Sequence, residues 1–428
     1  PYQRGPLAGI ATTLRDPPRV VDAQLGRLLE IGGAVVIEGP RACGKTMTGL
    51  NAARSCAFLD DDATRRLIDL APDAVLDGDR PRLLDEWQLA PQLWNQVRRA
   101  VDSATQPGAF ILTGSAVPAD DATRHTGAGR FLRMRERTMT WFERGNSTGA
   151  VSLEALIAGD RPATSATANS YHDVVDALAR TGFPALAELE PAATAVALNG
   201  YLDDVVRADL GRMAKTRHKP MVMRALVRAL ARATAAEVSW RTLVKDLRQF
   251  APNTRPETVS RYVDLLERLF IVERIPAWAV GLRSRARLRT APKFHLADPA
   301  LAVTALNADA TQLTADPETT GFLFESAVVH DLLVFTEAIG GQVHHYRDSN
   351  GHELDAVLTF TGGRWAAVEV KLGASQIEKG ARSLARTVQQ IDTAMVGEPA
   401  LKLVVTGTGP TATLPDGTVT CPLTVLGP

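Results

Sequence analysis

The sequence predicts an α/β protein in which a parallel sheet with flanking helices leads, followed by a helical stretch and then a mixed α/β region. Three observations predict it. Short apolar runs alternate with helix-periodic segments from residue 34 to residue 113, the signature of a parallel sheet covered by helices. A glycine-bearing segment, GPRACGKT at 39–46, stands where the first apolar run gives way to the first helical pattern. Residues 171–290 then read as almost all helix, and residues 291–428 return to strands and helices together.

The elements follow in order. Residues 34–38 (AVVIE) form a buried strand entering a loop, and a helical pattern starts at Lys45. Residues 55–60 (SCAFLD), 82–86 (RLLDE) and 109–113 (AFILT) give three more strands. Pro91 opens a helix with Leu93, Val97 and Val101 on one face. The stretch 144–170 is rich in Gly, Ser, Thr and Ala and marks a boundary. Three domains result, 1–150, 151–290 and 291–428, within what 428 residues allow.

Composition narrows the classes. The formal net charge is zero, so no global field recruits nucleic acid or membrane, and such binding must come from local patches. No apolar run approaches the roughly 18 residues that span a bilayer, and no signal peptide is visible. Three cysteines, Cys43, Cys56 and Cys421, lack metal-ligand spacing and fit a reduced, cytoplasmic chain.

GPRACGKT fits the P-loop pattern. Gly39 and Gly44 let the backbone curl so that the N–H groups of Pro40-following residues Arg41, Ala42 and Cys43 and of the helix start can face phosphate oxygens. The helix adds the positive end of its dipole, Lys45 reaches the β- and γ-phosphates, and Thr46 offers a hydroxyl to Mg²⁺. Asp85 and Glu86 end a strand, where Asp85 can hold the metal and Glu86 can activate the attacking water. A solvated acidic turn would have the same composition. Thr113, Gly114 and Ser115 end the fourth strand, and Ser115 can sense the γ-phosphate. In GAGRFLRMRER (127–137), Arg130 is the first choice for an arginine finger over Arg133, Arg135 and Arg137, in cis or from a neighbouring subunit of a homo-oligomer. No N-K-x-D motif appears, which favours ATP over GTP. Cys43 is either a reactive thiol at a helix N-terminus or an inert small side chain.

In the middle, residues 221–247 and 254–270 carry helical apolar spacing, and Phe270 to Ile275 reads as a strand. Helix, turn, helix, strand suits a winged-helix unit, with Arg255, Ser260 and Arg261 able to face DNA. Arg283, Arg285, Arg287 and Arg289 alternate in GLRSRARLRTAPK, which on a strand puts four cations on one face for phosphates or simply for solvent.

Towards the C-terminus, Glu325 falls on the apolar face of a helix over 321–333. Leu354, Ala356 and Leu358 share one face of a strand and Asp355 the other, TGGR at 361–364 turns a hairpin, and Glu369 and Lys371 follow on the next strand. Asp355, Glu369 and Lys371, joined by Glu325, match the acid, then Glu-x-Lys arrangement of metal-dependent nucleases, with Asp355 and Glu369 on Mg²⁺. The rival reading is a recognition module with no nuclease chemistry, in a protein that ATP controls as a switch. Asp298 and Tyr346 read as structural.

Taken together, GPRACGKT, LLDEWQLAP (83–91), FILTGS (110–115), GR (129–130), TGFP (181–184), APKFHLADPAL (291–301), GFLFE (321–325), HHYRDSNGHELDAV (344–357) and AVEVK (367–371) resemble a prokaryotic family of predicted AAA+ ATPases. Its members join a P-loop ATPase domain to a C-terminal domain of unknown function. The resemblance implies an AAA+ type sheet, a winged-helix-like middle and a restriction-endonuclease-like C-terminal domain. The family's second Thr after Lys-Thr is Met47 here.

Overall fold

The computed structural model describes residues 18–115, 127–209, 219–280 and 291–428. Arg283, Arg285, Arg287 and Arg289 lie outside the described residues. The chain divides into two compact units, Pro1–Thr138 with Arg268–Phe270, and Met139–Glu267 with Ile271–Pro428. The described residues on either side of positions 150 and 290 belong to the second unit.

In the first unit, strands β1 (Ala34–Glu38), β2 (Ser55–Phe58), β3 (Arg82–Asp85), β4 (Phe110–Gly114) and β5 (Phe131–Arg135) form one sheet in the order β2-β3-β4-β1-β5. All four pairings are parallel. Helices α1 (Val20–Ile31), α2 (Lys45–Ala52), α3 (Asp62–Leu70) and α4 (Leu93–Ser103) alternate with them. Strand β1 sits inside the sheet and is buried on both sides, which is why it reads as an unbroken apolar run. Ala34 and Val36 pack with Leu84, Leu112, Trp94 and Val97, whereas Val35 and Ile37 pack with Val21, Leu25, Leu83 and Ile111. The fifth strand lies at the sheet edge, where exposed Arg133 alternates with buried Met134. Because every strand is parallel, β1, β3 and β4 end along one edge of the sheet.

The second unit opens with β6 (Val151–Ser152) and helices α5 (Leu153–Ala158), α6 (Tyr171–Ala179), α7 (Pro191–Asp204), α8 (Pro220–Arg232), α9 (Trp240–Leu247) and α10 (Pro256–Arg268). The helical pattern over 221–247 is broken. Ala235 takes a left-handed φ of 59°, and the Ser239 hydroxyl caps a fresh helix by accepting the Thr242 N–H at 3.1 Å. Strand β7 (Val272–Ile275) pairs antiparallel with β8 (Lys293–Leu296), and isolated bridges join Thr234 to Phe294 and Glu237 to Lys293.

Helices α11 (Pro299–Leu306), α12 (Ala310–Ala315) and α13 (Pro317–Ala338) follow. Asp298 caps α11, accepting the Ala300 N–H at 2.8 Å, and also accepts the Gly182 N–H at 2.8 Å. Both bonds fit the structural role read from the sequence. Strands β9 (Gln342–Arg347), β10 (Glu353–Thr359) and β11 (Trp365–Lys371), helices α14 (Ile377–Val388) and α15 (Thr393–Val396), and strands β12 (Leu401–Thr406), β13 (Ala412–Thr413) and β14 (Val419–Pro422) complete a mixed sheet in the order β13-β14-β12-β11-β10-β9. The last strand, β15 (Leu426–Gly427), pairs with β6.

Alternation along β10 fails at one place. Leu354 pairs with Tyr346 but Val357 pairs with His344, so the strand carries one extra residue. Leu354 and Val357 therefore enter the same core, with Trp365, Ala367 and Leu384, and the strict face-sharing of Leu354, Ala356 and Leu358 does not hold.

Candidate functional site

The segment 39–46 leaves β1 at the edge where β3 and β4 also end, and it curls before α2 begins. Two positive-φ residues make the curl, Ala42 at 63° and Gly44 at 120°. A Cβ on Gly39 would lie 2.0 Å from the Glu136 carbonyl oxygen, so only glycine fits there. Gly44 is the N-cap of α2 and brings no side-chain acceptor to its first turn. Lys45 is buried, and its Nζ donates to the Pro40 carbonyl at 2.6 Å. Arg41 and Thr46 complete the loop on its outer side and at the helix start.

Thr46 Oγ1 donates to Asp85 Oδ1 at 2.8 Å, and Thr113 Oγ1 donates to the same oxygen at 2.5 Å. Burial pushes the Asp85 carboxyl up, and the two hydroxyls oppose that. Glu86 is left-handed, at φ 56° and ψ 45°, and its N–H donates to Thr113 Oγ1 at 3.2 Å. This turn sends its carboxylate to Ser115, whose hydroxyl donates to Oε2 at 3.1 Å, and to the Gln88 amide. Loop, Asp85, Glu86 and Ser115 thus meet at one edge. Thr46 and Asp85 are hard oxygen donors side by side, a set that fits Mg²⁺ arriving with a nucleotide.

The structure bears on two further readings near the loop. Arg130 immediately precedes β5, whose Phe131 pairs with Ala34 at the far end of β1. Its Nε donates to Asp102 at 2.8 Å. One strand length of about 16 Å (five residues at about 3.3 Å each) separates that end from the loop, so Arg130 does not serve the loop of its own chain. Cys43 is fully buried, and burial raises its thiol pKa in spite of nearby Lys45, so the inert reading holds.

The C-terminal constellation assembles within the second unit. Glu325, Asp355, Glu369 and Lys371 line one open cleft of about 650 Å³ together with Tyr171 and Phe322. Asp355 Oδ2 accepts the Val370 N–H at 2.7 Å, and Lys371 Nζ donates to Glu369 Oε1 at 2.7 Å. Lys293, only 3% exposed, places its Nζ 2.8 Å from Glu325, 2.8 Å from Glu353 and 3.9 Å from Asp355. Burial raises Glu325 to about 8 and Glu369 to about 7, with Asp355 adding repulsion in both cases. Among the described residues no group of three or more His, Cys, Asp or Glu is placed to hold a metal ion. The cations that these carboxylates meet are lysines, so the set as arranged does not fit the expected Mg²⁺ at Asp355 and Glu369.

Residues 32–144 match the AAA domain family. Residues 32–144 are thus an AAA-type domain, and the loop, Asp85, Glu86 and Ser115 all lie in it. Residues 171–312 and 320–426 match two families described as Domain of unknown function (DUF8612) and Domain of unknown function (DUF4143). Two curated relatives are the uncharacterized proteins Rv2008c of Mycobacterium tuberculosis and Mb2031c of Mycobacterium bovis. Each is 25% identical over 369 residues, covering 84% of this chain and 75% of its own length. Among solved structures, the walker-type ATPase PABY2304 of Pyrococcus abyssi aligns at 13% identity and a TM-score of 0.39, over 66% of this chain and 94% of that one. PCH-2 of C. elegans aligns at 10% identity and a TM-score of 0.21, over 61% and 71%. No helix of the described residues is long and apolar enough to cross a membrane.

Around the AAA domain's loop, sequence reasoning missed Gln88, Arg19 and Glu136. Beside the C-terminal cleft it missed Lys293 and Glu353, which pair with each other and with the cleft's Glu325. Glu353 alternates with Asp355 and offered a signal. Lys293 follows the arginine run and looked like one more surface cation. Nothing local marked Arg19, whose partners lie 24 and 117 residues away.

Proposed function

We propose that the AAA domain binds Mg-ATP in the loop 39–46 and hydrolyses it. The observation that carries this is the Thr46–Asp85 pair, 2.8 Å apart at the mouth of the loop. Backbone N–H groups of Arg41 to Thr46 cradle the phosphates, and Lys45 leaves the Pro40 carbonyl to meet the β- and γ-oxygens. Thr46 and Asp85 hold the Mg²⁺ that accompanies the nucleotide, which neutralises charge on the phosphates. Glu86 takes the proton of the attacking water, and Ser115 orients Glu86 and the γ-phosphate. An arginine finger, if Arg130 supplies one, acts on the loop of a neighbouring subunit in a homo-oligomer.

We place the target of this cycle on DNA. Three helices, α8 to α10, with β7, β8 and the bridges at 234 and 237 follow a winged-helix order, and Arg255 and Arg261 are exposed. Convergence of Glu325, Asp355, Glu369 and Lys371 in one cleft supports a nuclease-like C-terminal half. A second reading, an ATP-controlled switch in a cytoplasmic protein without nuclease chemistry, is favoured by Lys293, which already meets Glu325 and Asp355 of the cleft. Steady-state ATP turnover with and without DNA, with the same DNA run on a gel, separates them. Stimulated turnover supports DNA as the target, and cleavage adds the nuclease. Absence of both leaves the switch.

A further inference from the structure

Arg19 stands just before α1 and is 7% exposed. Its Nη1 donates to the Cys43 carbonyl at 2.9 Å and to Glu136 Oε1 at 3.1 Å, and its Nη2 donates to the Arg137 carbonyl at 2.9 Å. Glu136 is fully buried directly after β5. The same Oε1 accepts the Thr48 hydroxyl of α2 at 3.2 Å. The Glu136 carbonyl accepts the Cys43 thiol at 3.4 Å and is the atom that bars a side chain at Gly39. Residues 39, 43 and 48, at the start of the loop, its apex and the helix behind it, all rest on this one pair.

The contact with Cys43 has a consequence for its neighbour. A trans peptide is planar, so its C=O and N–H point in opposite directions. Drawing the Cys43 carbonyl towards Arg19 turns the Gly44 N–H away from Arg19, and Gly44 N–H is among the donors of a phosphate cradle. Gly44, at φ 120°, has no Cβ to resist other orientations, so an external constraint on this peptide matters. A buried ion pair contributes little net stability but holds geometry, and a guanidinium's rigid fork reaches separated acceptors from two nitrogens where an ammonium offers its three N–H groups from a single point.

We propose that Arg19, held by Glu136, is a positioning residue that fixes the Cys43–Gly44 peptide for phosphate binding. The inference rests on the nucleotide reading of the loop. It assigns the organising arginine of the site to Arg19 and not to the 127–137 run.

Calorimetric titration of Mg-ATP into the full chain tests it, with melting temperature measured alongside. Arg19→Lys keeps a charge opposite Glu136 but loses the fork, and Arg19→Met combined with Glu136→Met removes both charges together. The expected result is a weakening of ATP affinity by about tenfold or more in each, with Arg19→Lys melting near the wild type. A folded variant of either kind that binds within twofold of wild type overturns the proposal. Unfolding of both variants also overturns it, because the pair would then serve global stability. If Lys45→Ala loses binding while Arg19→Lys keeps it, this inference alone fails. If the wild type binds no ATP, the nucleotide reading fails and takes this one with it.

Discussion

Ser115 Oγ donates to the Glu86 carboxylate across 3.1 Å, and Thr113, two residues earlier, donates to Asp85. The end of β4 thus supplies one hydroxyl to each acid at the end of β3. Side chains alternate along a strand, so Thr113 and Ser115 point the same way and can reach two consecutive acids because Glu86 turns left-handed. Ser115, read from the sequence as a phosphate sensor, also holds the residue assigned to the water.

Glu86→Gln should bind Mg-ATP with near wild-type affinity and turn it over at least ~10²-fold more slowly, the range for loss of a general base. The amide keeps the hydrogen bond to Ser115 but cannot take a proton. Turnover at saturating ATP checks this, and an unchanged rate removes Glu86 from the mechanism.

Asp85→Asn should act through the metal. The amide leaves Thr46 and Thr113 with a neutral partner and removes the charge offered to Mg²⁺. Titrating Mg²⁺ at fixed ATP should show a midpoint raised by about tenfold or more. An unaltered Mg²⁺ curve would place the metal elsewhere.

The C-terminal cleft should be pH-sensitive in one direction. Glu325 is raised to about 8 and Glu369 to about 7, both above their unfolded value. Raised carboxyls hold protons that the unfolded chain has already released, so their contribution to stability falls as pH rises through about 7 and 8. His295 and His345 are lowered by burial to about 3 and about 4, so they cost stability only below the unfolded value of about 6.5. Between pH 6.5 and 8 these two histidines add no slope, and melting temperature should drop across that window in the wild type and less so in Glu325→Gln. Equal drops would dissociate Glu325 from the effect.

Lys371→Ala should abolish any DNA cleavage by the purified protein while leaving ATP turnover without DNA unchanged. Cleavage that persists in the variant would come from another site or another protein.

The first unit was largely legible. A buried parallel strand is apolar at every position, as at Ala34 to Ile37, and a phosphate loop must carry its glycines at fixed spacing. The edge strand β5 was less so, because alternate arginines resemble a loop. The end of the sheet that Arg130 occupies was hidden for a related reason. Its neighbouring glycines suggested a mobile finger, but strand register decides which end of the sheet it occupies, and register is set by β1. Asp355, Glu369 and Lys371 were legible through their hairpin spacing, and Glu325 through its place on the apolar face of a helix. Lys293 was not, since its partners Glu325 and Glu353 lie 32 and 60 residues away and no local pattern distinguishes an inward lysine from an outward one. The bulge near Asp355 left no mark in a strand that still alternates by composition.

The most direct test of the central claim is calorimetric titration of Mg-ATP into the wild type and Lys45→Ala. The account predicts saturable one-site binding in the wild type and its loss in the variant, because the phosphates lose their buried cation. Equal affinity in the two proteins would contradict the assignment of residues 39–46 as the nucleotide site.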